Sequence, residues 1–60
     1  MEPEIKGIFG RKRIDEHSKI GDLVWWQDLQ QIYTGELTGY QCGCWIVIRD
    51  GDNLRMEFEI

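Results

Sequence analysis

The clearest pattern in the chain is at its end, where Leu54, Met56, Phe58 and Ile60 alternate with Arg55, Glu57 and Glu59. Side chains on a strand repeat every two residues, so this segment predicts a strand with one apolar and one charged face. Just upstream, Trp45–Ile48 is a continuous apolar run rich in the β-branched residues that suit a pleated surface. In it, Trp45 and Val47 lie opposite Cys44, Ile46 and Ile48. Between the two runs stands Asp50-Gly51, followed by Asp52-Asn53, and Gly and Asn tolerate positive φ. The spacing predicts a β-hairpin.

Further up the chain, Leu23–Trp26 reads as a strand that is apolar on both faces, with Val24 and Trp26 on one side and Leu23 and Trp25 on the other. Gln27–Gln31 is polar and reads as a loop or one helical turn. Ile32–Tyr40 follows as a strand, and Gly35 and Gly39 inside it predict a bulge or sharp bend. Gln41-Cys42-Gly43 is a short connection. The expected fold class is all-β, with about five short strands.

The first nineteen residues differ. Their apolar groups, Ile5, Ile8, Phe9 and Ile14, are scattered, and Gly7 and Gly10 interrupt any helix. This segment is expected to be an extended arm or an added edge strand, so residues 1–19 are separated from a β-domain at 20–60. Sixty residues make one domain, and so short a chain buries only about 60% of the surface its unfolded form exposes. Self-association is therefore expected. No apolar run approaches the ~20 residues that span a bilayer. The start Met1-Glu2-Pro3-Glu4 lacks the apolar core of a signal peptide. A cytoplasmic location is expected.

Charge narrows the choice of partner. Residues 1–19 carry five basic and four acidic groups, whereas residues 20–60 carry two basic and seven acidic ones, out of a net −4. An acidic domain repels phosphate backbones and suits a basic protein partner, or a groove otherwise occupied by nucleic acid. The basic residues available for the alternative, nucleic-acid reading are Arg11, Lys12, Arg13, Arg49 and Arg55.

Candidate chemistry is sparse. Cys42 and Cys44 sit near the upper distance limit for a bridge on extended chain. With His17 they cannot complete a tetrahedral zinc site in one chain, although a dimer would pool four thiols. Reduced thiols and no metal are expected. His17 lies in the polar stretch Asp15–Lys19, with no nucleophile convincingly beside it. Asp50 and Asp52 flank a turn and lack the further ligands of a calcium loop. No phosphate-cradling loop, nucleophile elbow or zinc-protease helix occurs. No catalytic residue, cofactor or enzymatic activity is expected.

The aromatic set is too large for every member to be deeply buried in so small a chain, and exposed aromatics anchor interfaces or stack on bases. Trp25, Tyr33, Tyr40 and Trp45, with the acidic Glu36 and Asp52, are the candidate binding residues.

From Gly21 to Ile60 the pattern resembles an SH3-like small β-barrel. Gly21-Asp22-Leu23-Val24 resembles an opening strand, Gly35-Glu36-Leu37-Thr38-Gly39-Tyr40 a bent second strand, and the Asp50-Gly51 hairpin with Leu54–Ile60 the later strands. The spacing is similar to the plasmid-borne type II dihydrofolate reductases, which are SH3-like and tetrameric. It departs from them where their pore carries a basic residue, because Trp25-Trp26 stands there, and their Val-Gln-Ile-Tyr stretch has no counterpart. The resemblance implies the fold and a tendency to oligomerise, not the reductase chemistry. Size and charge are also similar to accessory proteins of phages and mobile elements that bind host proteins.

The leading expectation is a non-catalytic module binding a protein partner. The alternatives are a nucleic-acid-binding barrel and an oligomer holding a nucleotide-like small molecule between subunits. Because Leu23–Trp26 is apolar on both faces, a homo-oligomer is expected, most simply a dimer with Leu23, Trp25 or Trp45 at its interface. The rival is that Ile5, Ile8 and Phe9 fold back as a cover.

Overall fold

A computed structural model describes residues 9–59. Five strands form one sheet: β1 (Lys12–Arg13), β2 (Leu23–Asp28), β3 (Gln31–Gln41), β4 (Cys44–Arg49) and β5 (Arg55–Glu59). Their order in space is their order in the chain. β2 to β5 are an antiparallel meander, and β1 adds to β2 in parallel through Lys12↔Val24 and Arg13↔Trp25. The protein is all-β as expected, and the described part of the N-terminal segment includes an edge strand. Among the described residues no helix is long and apolar enough to cross a membrane.

Three tight turns set the register. β2 and β3 are joined by Leu29-Gln30 alone, with Leu29 at φ 56°. This corrects the expected loop or helical turn over Gln27–Gln31. Gln27 pairs with Ile32 and Asp28 with Gln31, so ladder hydrogen bonding carries the strand through a polar stretch that composition assigns to a loop. Cys42 and Gly43 join β3 to β4 with φ of 54° and 80°, two left-handed positions in succession, as a twisted hairpin requires. In the last hairpin Arg49 N–H donates to the Leu54 carbonyl at 2.9 Å and Asn53 N–H to the Arg49 carbonyl at 3.0 Å. The register of β3 against β4 shifts between Leu37 and Gly39, which is the bulge that Gly39 predicts.

Pairing places Val24, Trp26, Tyr33, Gly35, Leu37, Trp45, Val47, Met56 and Phe58 on one face. Val24, Leu37 and Val47 are fully buried there, and Trp26 and Trp45 nearly so. Ile14, Tyr33, Met56 and Phe58 pack around them. Trp26 and Phe58 stand on strands with two others between, yet their ring centroids are 5.0 Å apart. In a flat sheet with strands ~4.8 Å apart the distance would be roughly 14 Å. The sheet therefore coils around its own apolar face. It stays open: β1 and β5 are opposite edges, and no ladder joins them.

Coiling requires a close approach at Gly35. A Cβ there would lie 2.6 Å from the Ile48 carbonyl oxygen, 3.0 Å from Val47 and 3.2 Å from Trp26, so glycine lets β4 and the indole close over β3. Beyond β1, Ser18 is buried, and its hydroxyl accepts the Asp15 N–H at 2.9 Å. Asp22 accepts the Lys19 N–H at 2.7 Å and pairs with Lys12 at 2.6 Å, tying the 15–22 loop to the edge strand. Phe9 is 99% exposed and does not tuck back as cover. Ile5 and Ile8 lie outside the described residues, as does Ile60. Among the described residues of the arm, Ile14 packs against the core.

Candidate interaction face

The second face of the sheet is mixed: it carries apolar groups on β2, β3 and β4 that the described residues leave half open, and charged ones on β5. Leu23 is 43% exposed, and Trp25, Ile32, Ile46 and Ile48 are half-buried. Register aligns three of them, while Trp25 pairs with Thr34 and Ile32 with Gln27. Leu23, Glu36, Ile48 and Arg55 form one row across four strands, and Gly39, Ile46 and Glu57 form another. Gly39 has no side chain, so Ile46 packs against bare backbone; its Cδ1 would lie 3.7 Å from a Cβ placed there. Glu36 is exposed and stands between Leu23 and Ile48. It makes no ion pair among the described residues. The result is a half-open apolar strip over β2 and β4, with the Glu36 carboxylate between them and Arg55 and Glu57 at its border.

The six expected binding residues do not share this face. Trp25 and Glu36 do, and the Arg13 guanidinium lies 6.0 Å from the Trp25 ring centroid. Tyr33 belongs to the core side, stacked on Trp26 at 5.9 Å with Arg49 over its ring at 4.9 Å. Trp45 is 7% exposed and is a core residue of the single chain, so its ring is not available as a surface anchor. Tyr40, 53% exposed, covers the edge of Trp45 at 4.8 Å. Asp52 lies in the last turn, gripped by both prongs of Arg49. That hydrogen bond holds its carboxyl at about 2, well below the usual carboxylate range. Ile32, Ile46 and Ile48 were not among the expected binding residues. The alternation of β4 was the signal for the last two, because burying Trp45 and Val47 turns Ile46 and Ile48 to the other side.

The basic residues of the nucleic-acid alternative are mostly neutralised in place. Arg11 pairs with Asp50 at 2.7 Å and donates to the Gly35 carbonyl at 2.9 Å. Lys12 pairs with Asp22, Arg49 with Asp52, and Arg55 with Glu57 at 3.3 Å. Only Arg13 of the five is left without an ion pair among the described residues.

A pocket of about 310 Å³ opens where the coiled edges approach, between Arg13 and Ile14, Trp25 to Gln27, and Phe58 to Glu59. Its lining residues come from β1, β2 and β5 and the residue that follows β1. Cys42 and Cys44 are free thiols, and His17 is exposed beside Glu16 at 3.5 Å. No three His, Cys, Asp or Glu side chains among the described residues are grouped to hold a metal. Trp26 and Trp45 bury indole N–H groups that meet no acceptor among the described residues.

The chain matches no family model, no curated protein and no solved structure.

Proposed function

We propose that the protein is a non-catalytic interaction module: an SH3-like sheet, coiled towards a barrel, that binds a protein partner on its outer face. The observation that carries the reading is the half-open surface of Leu23, Trp25, Ile32, Ile46 and Ile48. Surfaces of contiguous apolar groups with a polar rim are characteristic of protein interaction sites. Glu36 in the middle selects a partner that offers a Lys or Arg among apolar side chains, because a buried carboxylate without a counter-charge is costly. The ion pairs on Arg11, Lys12, Arg49 and Arg55 argue against a phosphate-binding surface, which needs its cations free. The phage-like accessory role and the cytoplasmic setting belong to the same proposal.

The test is affinity capture from the native host with the full chain and two variants, Ile46→Glu and Glu36→Lys. A stoichiometric protein retained by the parent and lost from both variants supports the reading. Equal capture by all three, or capture of nucleic acid that elutes with moderate salt, overturns it.

A further inference from the structure

β5 leaves one side of its backbone unpaired, and that edge is unusually well suited to a second copy of itself. The orientation of its groups follows from the hairpin. The Arg49 N–H donates to the Leu54 carbonyl, so Leu54 aims that carbonyl at β4, while its own N–H donates to Asp52 Oδ1. In an antiparallel ladder hydrogen-bonded and non-bonded pairs alternate. The Val47↔Met56 and Trp45↔Phe58 pairs are then the bonded ones, and Arg55, Glu57 and Glu59 point N–H and C=O away from β4. No described strand takes those groups.

A two-fold antiparallel pairing of this edge with its copy has to match outward-pointing residues with one another. Few registers do so, and side-chain charge separates them. Centring on Glu57 sets Glu57 against Glu57 between two Arg55–Glu59 pairs, and centring on Phe58 sets Glu57 against Glu59. Centring on Arg55 sets Arg55 against Arg55. Centring on Met56 alone sets Arg55 against the copy's Glu57, and Glu57 against the copy's Arg55, with no like pair among the charged residues of the strand. The same register sets Met56 against Met56 and Leu54 against Phe58 on the other face. Leu54 is 46% exposed, and Met56 and Phe58 are half-buried, so pairing covers apolar surface that one chain leaves open. Arg55 and Glu57 already meet within one chain at 3.3 Å, and the copy turns that pair into a closed ring of four alternating charges.

We infer that the protein forms a two-fold dimer through β5, in the register centred on Met56, making one continuous sheet from two. This differs from the interface expected at Leu23, Trp25 or Trp45, and it leaves the outer face free for a partner. It does not depend on the proposed function.

Charge exchange at two exposed positions tests it. Light scattering at 100 μM and low salt should give about twice the chain mass of 7.1 kDa for the parent. Arg55→Glu alone and Glu57→Arg alone each place like charges opposite one another and should be monomeric. An equimolar mixture of the two restores both ion pairs and should form a heterodimer, and the double exchange in one chain should return the homodimer. Met56→Cys with Cys42→Ser and Cys44→Ser should oxidise to a covalent dimer, since residues at a non-bonded pair lie about 4.5 Å apart, within disulfide reach. A monomeric parent overturns the inference. So does a dimer that survives both single exchanges, or one that is broken by Trp25→Glu while tolerating them.

Discussion

On β2 and β4 the two faces of this sheet carry similar apolar side chains and end in different states, whereas on β5 the outer face is charged. Val24, Trp26, Leu37, Trp45 and Val47 are buried, while Leu23, Trp25, Ile32, Ile46 and Ile48, each on the same strands, stay partly in water. Hydrophobicity does not separate them. Curvature does: the sheet closes on the face where Gly35 removes a side chain, and Trp26 reaches Phe58 across two strands. A face that is concave covers itself, and the convex one cannot. The lesson is that a short chain makes one core by bending, and the apolar surface left outside is then available for another molecule.

The largest break in the comparison is Leu37→Ala. Leu37 is fully buried at the centre of the concave face, and such truncations cost about 2–5 kcal/mol. In a chain of this size that is comparable to the whole stability of a small domain. Urea titration followed by tryptophan fluorescence should show the variant largely unfolded at 25 °C. A loss under about 1 kcal/mol would mean that the concave face is not the core.

Gly35→Ala attacks the curvature itself. The added methyl meets a backbone carbonyl at 2.6 Å, which cannot swing aside as a side-chain tip can. Overpacking of this kind costs about 1–3 kcal/mol. The loss should appear in the denaturation midpoint, together with weakened near-ultraviolet dichroism from Trp26 if the ring is pushed off Phe58. Gly39→Ala is the control, because the nearest atom to its Cβ is a methyl at 3.7 Å.

Much of this was legible beforehand, and for a physical reason. Strand period, turn residues and the bulge glycine are local, so β4, the last hairpin and the bend in β3 could be read from neighbouring residues. Gln27–Gln31 misled because ladder pairing overrides a polar composition that belongs to turns elsewhere. The binding residues were legible in part. Aromatic character selects Trp25, Tyr33, Tyr40 and Trp45 alike, but only register shows that Trp45 and Tyr33 turn inward while Trp25 and Glu36 turn out. On β2 and β4, apolar on both sides, the buried face has no local signature; only the charged side of β5 marks it, through pairing with β4.

Acid distinguishes the packed faces from the loops that hold them. Asp52 is held at about 2 by its hydrogen bond from Arg49, and Asp22 is lowered from 3.8 by the hydrogen bonds from Lys12 and the Lys19 N–H. Both folded values lie below the unfolded one, so their stabilisation is present above about pH 4 and is lost as pH falls towards 2. The melting temperature should decline across that window, and Asp52→Asn should flatten the decline while lowering the plateau above it. A profile unchanged by that substitution would remove the Arg49–Asp52 pair from the account.

The smallest expected effect is the most informative about the convex face. Leu23→Thr replaces an apolar group that is 43% exposed, at a strand position where a β-branched residue is at home. Surface substitutions of this sort stay within about 0.5 kcal/mol. If the convex face is open in the free protein, the denaturation midpoint should barely move and should not depend on protein concentration for this reason. A loss of about 2 kcal/mol would place Leu23 in a covered site, since that is the cost of exposing or deleting a buried aliphatic group. Repeating the titration at tenfold dilution then identifies the cover. A loss that shrinks on dilution assigns it to a second copy of the chain. One that does not shrink assigns it to the chain's own residues, and either result would withdraw the convex face as a free docking surface.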